Sequence, residues 1–461
     1  MPEWIHIFAR GRATKENAGS DSPASPDELA AIARQMAADA VYGSFGEFRS
    51  SYWNGKWQTP ADDLVTVKVD PEGGESKFFR VELSVNTDLY DISRGGLQHF
   101  LGVLAGDLFS LRVPGFSLRD FQVIEVVFPT RFLADLNSAY RAEAYPVSKI
   151  RESFGLHDLE PLLAFSFKPR VGLKQDAIRD TTLSVLKAGF HIVEFDTRYL
   201  DLRDKNTDFL VELAKEAAGI GRKGRKTRLS PNLSVSTPLA LALCERFSGT
   251  SEPPYVIKVD GGFDGISTVQ EVRRKLRGKQ SPIITSYPLL REQLNSRIPS
   301  DTFVNALVQS GVDMIYPGMS PSVGRGTREL GTAERGALSQ ATRRYHDFVS
   351  RDWPMVTLAG GVYAGQLHAL YELVGPRVAY FLGGAVSLHK QGPAKGADLC
   401  SRVLREAANH HHADASQIKD LSGSLITEIE SAYDKPPGSA ENTFQYVSPK
   451  DLLATISVPR W

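Results

Sequence analysis

Between about Leu162 and about Asn409 one pattern recurs: a short apolar run, a few polar or glycine residues, then an amphipathic helix. The runs are "LLAFSFKP", "HIVEFD", "RLSPNLS", "YVIKVD", "PIITSY", "DMIYPG", "PMVTLAGG" and "VAYFLGG". Between them lie helical stretches such as "TTLSVLKAG", "TDFLVELAKEAAG", "TFVNALVQSG" and "QLHALYELVG". Several helices finish on a glycine (Gly189, Gly219, Gly249, Gly278, Gly311, Gly375), as expected where a helix ends in the left-handed conformation. Eight such units over about this length match a closed (β/α)8 TIM barrel. A doubly wound open sheet is the alternative, and the lack of a clear reversal point favours the barrel.

A chain of 461 residues exceeds one ordinary core, so a second domain is expected. From Trp4 to Pro129 the order is strand "WIHIFAR", a polar loop at 11–26, and helix "DELAAIARQMAADAVY". Strands "DLVTVKVD" and "KFFRVELSVN", helix "GGLQHFLGVLAG" and strand "DFQVIEVVFP" follow. This βαββαβ order predicts a ferredoxin-like α+β domain, with Asp27 as the first helix cap. The expected division is 1–145 for that domain, 146–410 for the barrel and 411–461 for a helical C-terminal extension. His410 to His412 open the extension, but adjacent histidines on a helix point in different directions, so a solvated helix end is expected.

Lys plus Arg and Asp plus Glu both number 54, so no global field favours nucleic acid or an anionic membrane. The basic run "GRKGRKTR" (221–228) falls before the third barrel strand, on the amino-terminal side, and reads as a solvated loop. Cys244 and Cys400 lack metal or disulfide spacing and read as buried thiols in a reducing compartment. "MPEWIHIFAR" lacks an apolar signal region and no run reaches membrane length, so a soluble cytoplasmic protein is expected.

Barrel chemistry sits at the carboxyl ends of the strands. The first strand ends with Lys168 and Arg170, the second with Glu194 and Asp196, each pair at i and i+2 on one face. The two acids form either a metal site or, with the two bases, a structural ion-pair network, because unpaired buried charge is costly. A lysine desolvated beside other charges is also suited to proton transfer. Strands seven and eight end in paired glycines, Gly360 and Gly361, then Gly383 and Gly384. Either their backbone N–H groups approach a phosphate or the glycines relieve crowding.

The bridge "PVSKIRESFGLHDLEPLLAFSFKPRVGL", the strand "AGFHIVEFD", then "GGFDGIS", "DMIYPGM", "LAGGV" and "FLGGAV…GPAKGA" resemble, in this order, the RuBisCO large-chain superfamily. The similarity runs from about Leu83 to about Asn409. It implies that Lys168 abstracts a proton, that the glycine pairs bind phosphate, and that "SSYWNGKW" enters a neighbour's active site in a homodimer or larger assembly with shared sites. Asp107 stands where the family usually has Asn.

The departures from carboxylating members concern chemistry. There, strand two reads Lys-x-Asp-Glu, and the carbamylated lysine and both acids hold magnesium; here the positions are Glu194, Asp196 and Thr197. Magnesium requires near-octahedral oxygen ligands, so its binding at Glu194 and Asp196 is weakened, displaced or lost. Tyr316 stands for the strand-six histidine, "IITSYP" replaces a His-x-His-Arg pattern, and Ala359 replaces a serine. The lysine of the following loop has no counterpart, with Arg325 as a substitute of different geometry. The resemblance therefore implies a RuBisCO-like protein (form IV), not a true carboxylase. Its expected action is enolisation, isomerisation or decarboxylation of a small phosphorylated sugar-like carbonyl compound. Lys168 would move the proton, its pKa lowered by burial and by Arg170, while Arg170 orients the substrate. Magnesium is the only cofactor implied. The competing expectation is a non-catalytic, metabolite-binding or regulatory protein.

Overall fold

A computed structural model describes residues 3–15, 23–42, 65–71, 78–90, 97, 100–101, 104, 116–141, 144–168, 173–195, 204–221, 224–261, 265–278, 281–287, 300–317, 332–411, 417–434 and 445–455. The chain forms two compact units, one of residues 1–142 with 289–310 and one of 143–288 with 311–461.

In the first unit, strands β1 (Trp4–Lys15), β2 (Val65–Pro71), β3 (Phe78–Asn86) and β4 (Phe116–Val127) form an antiparallel sheet in the order β2-β3-β1-β4. This is the ferredoxin-like order. Side chains alternate across a strand, so Ile5, Ile7, Ala9 and Ala13 of β1 turn inward with Phe79, Val81, Leu83 and Val85 of β3. Helix Pro26–Tyr42 lies against β2 and β3.

Two local expectations are corrected. The first strand does not stop at Arg10; it continues to Lys15, paired with β4 across register shifts between Phe8 and Ala9 and at Gly11, between Arg10 and Arg12. The helix is capped by Ser25, not Asp27. Ser25 Oγ accepts from Glu28 N (3.4 Å) while Glu28 Oε2 accepts from Ser25 N (2.7 Å), a reciprocal capping box with Pro26 at the first helical position.

In the second unit eight parallel strands follow: β5 (Leu162–Ser166), β6 (Ile192–Phe195), β7 (Arg228–Pro231), β8 (Val256–Lys258), β9 (Ile283–Ser286), β10 (Met314–Ile315), β11 (Met355–Ala359) and β12 (Ala379–Phe381). Their order is β7-β6-β5-β12-β11-β10-β9-β8. A parallel bridge between Asn232 and Lys258, with Leu233 N donating to Lys258 O at 2.7 Å, joins the end of β7 to the end of β8. That contact closes the barrel and removes the open-sheet alternative.

The first residues of the strands (Leu162, Ile192, Val256, Ile283, Met314, Met355 and Ala379) pack with Val147, Ile150 and Phe154. Helix Val147–Phe154 therefore stoppers the amino-terminal end with its apolar face. Beside it lies a fully buried ion pair. Asp313 accepts from Arg273, from Ile284 N (2.7 Å) and from Tyr145 N (2.6 Å), and Arg273 also donates to Gly311 O and Pro282 O. Such bonding is what makes a buried charge tolerable.

Of the helix-ending glycines, Gly189, Gly278, Gly311 and Gly375 have positive φ, whereas Gly249 ends its helix at φ −90° and Gly219 is not left-handed. The basic run is only partly solvated. Arg225 pairs with Glu160 at 2.8 Å, and Arg228 is buried in β7, where it donates to Glu252 O. The C-terminal extension packs on this unit: Tyr433 Oη donates to Ala385 O (2.7 Å) and Val447 N to Gly365 O (2.9 Å). His410 ends a helix, His411 Nδ1 lies 3.1 Å from the buried Glu372 carboxylate, and His412 lies outside the described residues. Cys244 and Cys400 are buried free thiols, each pushed up to about 12 by burial.

Candidate active site

The carboxyl ends of the barrel strands surround a cavity of about 470 Å3. Each predicted residue that is described falls on it: Lys168 after β5, Glu194 on β6, Gly360 and Gly361 after β11, and Gly383 and Gly384 after β12. Arg170 and Asp196 lie outside the described residues, as do Thr197, Asp107, Arg325 and "SSYWNGKW".

The charged centre is on the β5 to β8 side. Glu194 is buried, and its Oε1 accepts from Ser166 Oγ (2.5 Å) on β5 and from Lys258 Nζ (2.8 Å) on β8. The Lys258 side chain is 11% exposed and that of Glu194 7%, so water screens the pair little. Lys258 Nζ is also 3.6 Å from Oδ1 of Asp260, whose side chain is 1% exposed. Asp260 Oδ2 accepts from Asn232 Nδ2 (3.0 Å), and Ser234 donates to Asn232 Oδ1 through both N (3.0 Å) and Oγ (2.5 Å). One connected polar belt thus runs from Ser234 through Asn232, Asp260 and Lys258 to Glu194 and Ser166.

Lys258 and Asp260 were missed by sequence reasoning. Their signal was present: "YVIKVD" carries charged residues at i and i+2 of a strand end, the same spacing as Lys168/Arg170 and Glu194/Asp196, although here the two charges are opposite.

Lys168 differs from the expectation placed on it. It is exposed rather than buried. Its stem crosses the start of the β12 turn: a Cβ on Gly383 would lie 3.2 Å from Ser166 O and 3.4 Å from Lys168 Cγ. Gly383 therefore makes room for Lys168. Gly360 and Gly361 are left-handed (φ +81° and +67°), and a Cβ on Gly360 would meet nothing closer than Tyr316 Oη at 3.9 Å. Backbone geometry, not crowding, calls for glycine there. Tyr316 stacks on Tyr287 with centroids 4.9 Å apart and planes 17° apart, forming an aromatic wall opposite the charged belt.

Magnesium fits the described residues poorly. It takes about six oxygen ligands at about 2.1 Å in octahedral geometry. Among the described residues no group of three or more His, Cys, Asp or Glu side chains is placed to hold a metal. Glu194 Oε1 already accepts a hydroxyl and an ammonium. A divalent ion on Glu194 would also stand close to the Lys258 ammonium, 2.8 Å from Oε1, and like charges repel.

No family model matches the chain. The RuBisCO large chain of Xanthobacter autotrophicus (strain ATCC BAA-1158 / Py2) is 22% identical over 480 residues, covering 95% of this chain and 93% of its own. Among solved structures, the octameric RuBisCO of Pyrococcus horikoshii OT3, in complex with sulfate, matches with TM-score 0.67 and 17% identity over 88% of each chain. A rubisco-like protein from Burkholderia fungorum matches with TM-score 0.62 and 15% identity, over 93% of this chain and 98% of that one. The chain is thus similar over nearly its whole length to RuBisCO large chains and shares the fold of RuBisCO and rubisco-like structures. In this barrel Tyr316 follows β10 and Ala359 ends β11, both on the cavity. Among the described residues no helix is long and apolar enough to cross a membrane.

Proposed function

We propose that this chain is a RuBisCO-like enzyme, without ribulose bisphosphate carboxylase activity, that enolises a small phosphorylated sugar-like carbonyl compound. The observation that carries the reading is the meeting of Lys168, the Glu194–Lys258 pair and both glycine pairs on one strand-end cavity. The left-handed Gly360–Gly361 turn and the Gly383–Gly384 turn face the phosphate with backbone N–H groups. Lys168, in its neutral form, removes a proton from the carbon next to the carbonyl. The released electron pair moves onto the carbonyl oxygen, giving an enediolate beside the cationic side chains. Returning the proton to the neighbouring carbon, with the hydroxyl proton passing from one enediolate oxygen to the other, completes an isomerisation; loss of carbon dioxide from a β-keto acid would use the same enolate stabilisation. Arg170 orients the substrate. The working form is a cytoplasmic homodimer or larger assembly with shared sites, a reading supported by the octameric relative.

The alternative, a metabolite-binding or regulatory protein, is favoured by one observation: the stacked Tyr287 and Tyr316 rings supply an aromatic wall suited to packing against a ligand. Deuterium exchange from D2O into a panel of phosphorylated ketoses and aldoses separates the two. Exchange that is lost in Lys168→Ala, with phosphate binding retained, supports the enzyme. Tight binding of panel members with no exchange in the wild-type protein overturns it.

A further inference from the structure

Lys258 projects into the space between two carboxylates, 2.8 Å from Glu194 and 3.6 Å from Asp260, within a barrel mouth that shields all three from water. A divalent ion bridging β6 and β8 would occupy the same space. We propose that the Lys258 ammonium is the resident cation of this site, so that the enolisation proposed above proceeds without a bound metal. The inference deepens that reading and rests on it.

Four observations converge. The ammonium is fixed from below, because Lys258 is the residue whose backbone closes the barrel by bridging Asn232. The same Asn232 donates to Asp260 Oδ2, leaving Oδ1 turned toward Nζ. Ser166 donates to the Glu194 oxygen that Lys258 also contacts, so Oε1 already carries two donors. Lys258 lines the cavity itself, so its charge reaches the space where a carbonyl oxygen becomes an enediolate. A lysine ammonium is a compact point charge, which makes it the side chain best able to stand where a small ion would. Lys258 is accordingly placed as an electrostatic stabiliser and Lys168, exposed at the same mouth, as the proton carrier.

The experiment uses the full-length protein, stripped of metal with a chelator. Calorimetric titration with Mg2+ and Mn2+, and electron paramagnetic resonance of added Mn2+, should show no saturable site in the wild-type protein. In Lys258→Met, which leaves Glu194 and Asp260 facing an empty position, a single Mn2+ site should appear and should vanish in Lys258→Met/Glu194→Gln. Deuterium exchange should change by less than about twofold on metal stripping, whereas a metal-dependent enolisation would fall by about tenfold or more and recover with Mg2+. A saturable site in the wild-type protein that is lost in Glu194→Gln overturns the inference whether or not the Lys258 variant folds. The two proposals fail separately. Absence of exchange with the whole panel sinks the enolisation reading and leaves the metal titration to judge Lys258; exchange abolished by chelation sinks the inference and leaves the enzyme.

Discussion

Replacing Lys258 by methionine keeps the length of the side chain and removes its charge, leaving Glu194 buried with Ser166 as its remaining donor in the belt. The Glu194 side chain is 7% exposed, so water cannot take over the lost partner. Breaking a buried pair from one side costs about 3–5 kcal/mol. Two units make a single unfolding free energy ill-defined, so thermal unfolding followed by calorimetry is the assay. At roughly 2 °C per kcal/mol for a barrel of this size, the barrel transition should fall by roughly 6–10 °C at pH 7.5. Glu194→Gln alone should cost less, because Gln still accepts from Ser166 and Lys258 retains Asp260 at 3.6 Å. The double variant removes both charges and should recover most of the loss, giving a coupling energy of about 2 kcal/mol or more. The reasoning would be refuted by a Lys258→Met shift below about 2 °C, or by two single shifts that simply add, since either result means that water or another group already neutralises Glu194.

Gly383→Ala places a methyl 3.2 Å from Ser166 O and 3.4 Å from Lys168 Cγ; it should displace Lys168 and lower proton exchange by about ten- to a hundredfold while the calorimetric transition moves little. Unchanged exchange would show that Lys168 is not the proton carrier. His191 is fully buried, with Leu163 N donating to Nδ1 (3.1 Å), Arg225 Nε 2.7 Å from Nε2 and Glu160 Oε1 3.7 Å from Nε2; a neutral ring accepts at one nitrogen only, and burial, aided by the Arg225 charge and opposed by Glu160, lowers its pKa to about 4. A depressed histidine stabilises above its unfolded pKa of about 6.5, and that contribution is lost as pH falls to about 4, here by roughly 3 kcal/mol. His191→Asn should therefore show a shallower loss of stability between those pH values, and an identical acid limb would remove His191 from the account. Asp313→Asn strands the buried Arg273 guanidinium at the amino-terminal end and should lower the barrel transition by roughly 3–5 kcal/mol equivalent; the strand-end cavity should keep its affinity for inorganic phosphate, checked by titration at a temperature where the variant is folded.

The barrel was legible because its strands and helices differ in period, and alternation of the two leaves few architectures. Closure was less so: it rests on a single bridge, Asn232 to Lys258, that no periodicity announces. In the first unit, "GRATK" reads as loop by composition, yet Gly11 lies against Phe121, where a Cβ would approach to 2.8 Å, and the register shift there carries a polar segment along the sheet. Ser25 was passed over for Asp27 because both suit a cap, and only the backbone shows that Pro26 already begins the helix. At the site, the i, i+2 signature found Lys168 and Glu194 at once. It could not pair Glu194 with Lys258, 64 positions later, because that contact depends on which strands face each other across the barrel. Nor could it show Lys168 exposed, since strand-end position fixes where a side chain starts and not how far its stem carries the charge.

The placement of Lys258 links folding to chemistry. An ammonium between two carboxylates is favourable only if both stay in place, and here β6 supplies one and the end of β8 the other. The strand pair that brings them together is held by the bond that makes the barrel a closed ring. Were the β7–β8 seam to part, Asn232 would release Asp260, Lys258 would lose its seat, and Glu194 would be a lone charge at the cavity floor. The polar belt is thus held in place by the closed barrel. A buried polar network keeps its value only while its members stay together, because a low dielectric makes a separated polar group costly. A metal could supply the same charge but would depend on solution supply; a lysine at the seam arrives with the fold. On that argument Asn232→Ala should lower the barrel's calorimetric transition and the deuterium exchange together, because Asn232 touches the barrel closure and the charged centre at once.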